Sequence, residues 1–108
     1  MDIGTLKNYS DLAHDLSQTK KNALEKMHSR QIVAYKGRLF RADPQTISIV
    51  QTFQAHSKNF YMLDTNDNPC HITNPNEFLK ILIERNQEAL NSYNQLFQDL
   101  KNRTLKND

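Results

Sequence analysis

The stretch that decides the fold is Gln31-Ile32-Val33-Ala34-Tyr35-Lys36-Gly37-Arg38-Leu39-Phe40-Arg41-Ala42-Asp43-Pro44. Two short runs rich in β-branched and aromatic residues flank one glycine. Strands favour such residues, and a tight reversal between them needs a position that accepts positive φ. The reading is a β-hairpin turning at Gly37. Asp43 and Pro44 then open a helix, with Asp43 as the cap and Pro44 at the first helical position. Ile47, Ile49, Val50 and Phe53 carry that helix to about His56.

Toward the C-terminus, Asn59-Phe60-Tyr61-Met62-Leu63 reads as a strand and Cys70-His71-Ile72-Thr73 as its return. The segment between them, Asp64-Thr65-Asn66-Asp67-Asn68-Pro69, is dense in turn residues, so a second hairpin is expected. Asn74-Pro75-Asn76-Glu77 is a helix start: cap, first position, and a Glu placed as in a capping box. The helix should run over 75–102. Leu79, Ile83, Asn86, Leu90, Tyr93, Phe97 and Leu100 recur at spacings of four and three, a heptad seam with Asn86 as its polar member. Toward the N-terminus, Leu6, Tyr9, Ala13, Leu16, Ala23 and Met27 mark a helix over 5–28, with Lys20 in a polar seam slot.

The expected fold class is α+β. A long helix, a β-hairpin, a short helix, a β-hairpin and a long helix form a single domain over residues 1–108, with the two hairpins and short helix in 31–73. Helices of these lengths span roughly 36 and 42 Å. Two short hairpins cannot cover both along their whole length. The first and last helices are therefore expected to pack as a coiled-coil-like stalk, Leu6, Tyr9, Ala13 and Leu16 against Leu90, Tyr93, Phe97 and Leu100.

Composition narrows the function. The chain has 108 residues, 37% of them hydrophobic and 24% charged, with a net charge of +2. Residues 1–58 carry a surplus of basic groups and residues 59–108 a surplus of acidic ones, which suggests two faces of different sign. One cysteine, Cys70, excludes an internal disulfide. No secretory leader is visible at the N-terminus, and the longest apolar run, Ile81-Leu82-Ile83, is far too short to span a bilayer. The expectation is a soluble chain made in a reducing cytosol, with no membrane association.

The candidate chemistry is sparse. His14, His28, His56 and His71 lack metal-ligand spacing, and adjacent Cys70 and His71 point to opposite faces of a strand. Asp64, Asn66 and Asp67 resemble a calcium-loop fragment but lack its glycine and bidentate glutamate. Cys70 reads as a small buried apolar residue, not a nucleophile. There is no glycine-rich phosphate loop and no nucleophile elbow. No enzyme, cofactor or metal is expected. Arg30, Lys36, Arg38 and Arg41, with nearby Lys58, interleave with Tyr35, Phe40 and Phe60 as an RNA-binding sheet would. Their alternation at period two is instead that of half-buried strands, so nucleic acid is disfavoured and the cations form a solvated face. Protein–protein contact remains, assigned to Arg30, Lys36, Arg38, Arg41, Tyr93, Phe97 and Leu100, with a homo-oligomer as one form of it.

The ordered set of motifs resembles a small domain family of tailed bacteriophages and prophages encoded beside tail-fibre genes. The resemblance covers about residues 24–101. It begins at Ile32-Val33-Ala34-Tyr35-Lys36-Gly37-Arg38-Leu39-Phe40-Arg41-Ala42-Asp43 and continues through Phe60-Tyr61-Met62-Leu63-Asp64 and the Asn66-Asp67-Asn68 turn. It ends with Ile72-Thr73, the capped last helix, and the spaced Tyr93, Phe97 and Leu100. Pro75-Asn76-Glu77 and the absence of Trp from the second hairpin depart from the family pattern. The resemblance implies a tail-fibre or baseplate accessory that is made in the host cytoplasm and ends in the virion tail. A free fibre-assembly chaperone is the alternative, and a phage inhibitor of a host defence system, or an RNA-binding module, a weaker one. No catalytic residues are carried over.

Overall fold

A computed structural model describes residues 3–106, with side chains described for residues 15–102. The element order is α1 (Ile3–Arg30), β1 (Ile32–Tyr35), β2 (Arg38–Arg41), α2 (Pro44–His56), β3 (Phe60–Leu63), β4 (Pro69–Ile72) and α3 (Pro75–Lys106). Three helices and two antiparallel hairpins in the expected order make the α+β architecture plain. Both long helices extend a few residues beyond the expected bounds.

The first hairpin pairs Val33 with Phe40 and Tyr35 with Arg38 across a two-residue turn. Lys36 (φ 53°) and Gly37 (φ 73°) both take positive φ, as the right-handed twist of a two-residue hairpin demands. Gly37 accepts this freely. A Cβ there would meet nothing within 4 Å, so a substitution would be penalised by backbone strain alone. The second hairpin pairs Phe60 with Ile72 and Leu63 with Pro69 around a five-residue loop. Thr65 N–H donates to Leu39 O at 2.9 Å and so joins that loop to β2.

Alternation sends Val33, Tyr35 and Phe40 inward from the first hairpin, and Cys70 and Ile72 inward from β4. They meet Val50 of α2 and Phe78 and Leu82 of α3 in one cluster. The Phe78 ring lies 4.8 Å from Tyr35 and 4.9 Å from Phe40, centroid to centroid. Asp43 caps α2 by accepting from Thr46 N–H at 2.8 Å, and Asn74 caps α3 by accepting from Glu77 N–H at 3.3 Å. Both starts are as expected.

One of the two rows of the expected α3 seam is covered, with Leu79, Asn86, Tyr93 and Leu100 half-buried. The buried side chains are Phe78, Leu82 and Ala89, whereas Ile83, Leu90 and Phe97 are 43%, 39% and 40% exposed. A straight helix repeats at 3.6 residues. Ile83 and Leu90 each follow a buried residue, Leu82 and Ala89, by one position, which turns them about 100° away from the covered face.

The molecule measures 66 × 23 × 23 Å, with a radius of gyration of 19.8 Å. The core occupies one end, and α1 and α3 lie side by side beyond it as an arm. Thr19–Lys26 of α1 face Tyr93–Leu100 of α3. The expected pairing set residues 6–16 against 90–100. Helices of opposite chain sense that meet at Gln31 and Asn86 bring residues near 20, not near 10, level with Phe97. The side chains of Leu6, Tyr9 and Ala13 lie outside the described residues. No helix of the described residues is long and apolar enough to cross a membrane.

Candidate protein-docking surface

The four hairpin cations separate into two pairs. Arg41 stands opposite Ile32 in the ladder, so it shares the α1 end of the hairpin with Arg30. Both are exposed and form no ion pair among the described residues. Lys36 and Arg38 sit at the turn, roughly 10 Å along the strands. They are engaged within the fold. Lys36 Nζ donates to Thr73 Oγ1 at 2.7 Å and lies 5.5 Å from the centre of the Tyr35 ring. Arg38 Nη1 donates to Pro69 O at 2.9 Å and approaches Asp64 Oδ2 at 3.5 Å.

Asp64 organises the second loop. Its Oδ1 accepts from Asn66 N–H at 2.8 Å and from Asn68 N–H at 2.9 Å. The Asn68 bond is the main force holding its carboxyl below the usual carboxylate range. Burial opposes it, and the Asn66 bond and Arg38 add to it. The calcium-like residues thus build a turn whose acceptors face the chain's own amides. Among the described residues no three His, Cys, Asp or Glu groups converge as metal ligands would. Cys70 is a buried free thiol. Tyr35 is buried with its hydroxyl unpaired, and burial first, then Glu77 and Cys70, raises its pKa.

Tyr93, Phe97 and Leu100 lie together on the arm, apart from the hairpin cations. With Leu96 they form one wall of a groove of about 160 Å³, and Thr19, Lys20, Ala23 and Lys26 form the other. The Tyr93 and Phe97 rings are 6.3 Å apart. The seven proposed contact residues therefore fall in three places: Arg30 and Arg41 at the arm's root, Lys36 and Arg38 at the hairpin turn, and Tyr93, Phe97 and Leu100 along the arm. Leu96 escaped the heptad reading but is found by counting 3.6 residues per turn from Phe78, through Leu82 and Ala89. An exposed Tyr61–His71 stack, 4.6 Å between ring centroids, also went unremarked in the sequence. Its signal was the cross-strand placement of two aromatic rings.

No family model matches the chain, and no curated protein or solved structure matches it.

Proposed function

We propose that the chain is a protein–protein interaction module, a tail-fibre or baseplate accessory that resides in a phage virion. The observation that carries the interaction reading is the arm. A chain of this length folded compactly has a radius of gyration near ~13 Å, and this one reaches 19.8 Å by holding two helices away from its core. Large side chains on that arm, Leu90, Leu96 and Phe97, stay at least a third exposed. Large apolar groups left exposed along an arm are those an interface covers. Arg30 and Arg41, at the arm's root, supply charge that steers encounter while adding little to folding. The assignment to a phage tail rests on the resemblance over residues 24–101. No step of chemistry is required of any residue, and the reading includes no enzyme activity and no cofactor.

Quantitative mass spectrometry of purified particles tests this. The expected result is the chain present at a fixed ratio to the fibre or baseplate protein. Its absence from particles, with fibres lost when its gene is deleted, would replace the accessory with a free assembly chaperone. Absence with intact fibres would end both readings.

A further inference from the structure

The two hairpins stop short of forming one sheet. They are separate two-stranded ladders, and among the described residues one main-chain bond links them, Thr65 N–H to Leu39 O. In an antiparallel ladder, main-chain groups point alternately to the partner strand and to the outer edge. The two-residue turn makes Tyr35 and Arg38 a bonded pair, and the Ala42–Gln31 bond continues that alternation. Leu39 and Arg41 therefore turn their N–H and C=O groups to the outer edge of β2. The Asp64–Asn68 bond fixes the second hairpin in the same way, so Tyr61 and Leu63 turn theirs to the outer edge of β3. Two residues along each strand from the Leu39–Thr65 bond, Arg41 comes level with Leu63. That rung is not made. A groove of about 260 Å³ lies there instead, between Phe40, Arg41 and Thr46 on one side and Met62, Leu63 and Thr65 on the other.

Edge strands are usually guarded, and three of these four are. β1 lies beside α1 and α3. On β2 the Leu39 carbonyl is taken by Thr65, and Arg41 adds a charge. On β4, Pro69 has no N–H, and its carbonyl accepts from Arg38. β3 is Phe60-Tyr61-Met62-Leu63, with neither charge nor proline. The outer N–H and C=O groups of its Tyr61 and Leu63 have no partner among the described residues. Donors and acceptors that repeat every second residue, roughly 7 Å, are matched by an extended chain. A second copy's β3 is set behind its own Arg41 and Thr46, so two β3 edges cannot meet without both walls moving. A lone peptide strand brings no such wall. The charges of the groove narrow its sequence further. Asp64 is engaged with the Asn66 and Asn68 amides and with Arg38. Arg41 is exposed and forms no ion pair among the described residues, so it is free to take an acidic side chain. Asp67 lines the loop end and disfavours a second acid there.

We infer that the β3 edge and the groove beside it bind an extended peptide segment of another protein as an added strand, with an acidic side chain set against Arg41. The inference rests on the interaction reading above and supplies its partner chemistry. Its test uses the isolated chain, so the particle measurement and this one can fail separately.

Amide NMR spectra of the purified chain test it, titrated with a blocked heptapeptide of alternating valine and threonine with glutamate at its centre. The amides of Tyr61 and Leu63 are expected to shift, with a Kd of about 1 mM or below. The same peptide with lysine at its centre should bind at least about tenfold more weakly, and Arg41→Glu should reverse that order. Methylating the central peptide nitrogens should abolish binding, because it removes the donors an added strand needs. In the protein, Leu63→Pro removes one outer N–H and leaves the hairpin's own ladder intact. It should weaken binding at least about tenfold with unchanged circular dichroism. Arg41→Glu decides the matter if Leu63→Pro fails to fold. No shift at Tyr61 and Leu63 up to about 2 mM peptide, or equal binding of the methylated or the lysine peptide, would overturn the inference. So would slow hydrogen exchange of the Leu63 amide in the free protein, which would mean that β2 itself closes on β3.

Discussion

Asp64 accepts two backbone amides of its own loop and holds Arg38 of the other hairpin, so one carboxylate ties both ribbons. Its ionised form is the one the fold binds, and its carboxyl titrates below the ordinary value near about 4. A group whose pKa is lowered by folding stabilises the protein above its unfolded pKa and loses that contribution as pH falls through the folded one. Asp64→Asn should therefore melt below the wild type at pH 7. The gap should close as both are acidified below about pH 4. A gap of constant size across a melting series from pH 7 to 2 would show that charge is not what the loop uses. The turn itself was legible, because Asp and Asn mark such loops by their own hydrogen bonding. The Arg38 link was not. It joins residues far apart in sequence, and no local pattern distinguishes an arginine with a distant acceptor from a solvated one. Lys36 is similar: its positive φ follows from the two-residue turn, whereas its bond to Thr73 follows only from the packed fold.

At the scale of the element, α3 divides into a root that builds the core and a length that leaves it. Phe78 is fully buried between two aromatic rings, and Ile83, five residues on, faces out. Phe78→Ala should cost about 3–5 kcal/mol, because the lost ring leaves a cavity against Tyr35 and Phe40. Ile83→Ala should cost under about 1 kcal/mol in the monomer. Chemical denaturation of the two variants at low concentration checks the contrast, and equal losses would restore the heptad assignment. The start of α3 was readable to the residue because a cap is a local device, three residues long. Its buried face was not. Leucine, isoleucine and phenylalanine at 78, 79, 82 and 83 satisfy either period, and only the position of the hairpins decides which of them is covered. The hairpins and α2 were legible for the same reason as the cap, since glycine, proline and asparagine punctuate them.

The whole molecule is a core with an arm, and its parts should differ in stability. Amides near Phe78, Leu82, Val33 and Phe40 open only with the core. Those of Asn94–Lys101 belong to a two-helix segment with few buried side chains. Hydrogen exchange at low protein concentration should be faster in the second group by roughly tenfold or more. Uniform protection along α3 would mean that the arm and core unfold as one unit. The elongated outline was foreseen from helix length alone. The register of α1 on α3 was not, because it is set where the helices are anchored. That anchor is Gln31, which is buried. Its side-chain amide donates to Asn86 Oδ1 at 3.0 Å, its Oε1 lies 3.3 Å from His28 Nδ1, and its carbonyl accepts from Ala42 N–H. Asn86, the polar member of the expected seam, is the acceptor in this bond. A beam clamped at one end magnifies at its tip whatever happens in the clamp. From Asn86 to Lys106 is about 30 Å of helix, so a tilt of roughly 5° at Gln31 carries the far end through about 3 Å. The aim of the arm is thus set at its root, by Phe78 and Leu82 in the core and by the Gln31–Asn86 bond beside them, at the opposite end from the side chains it aims.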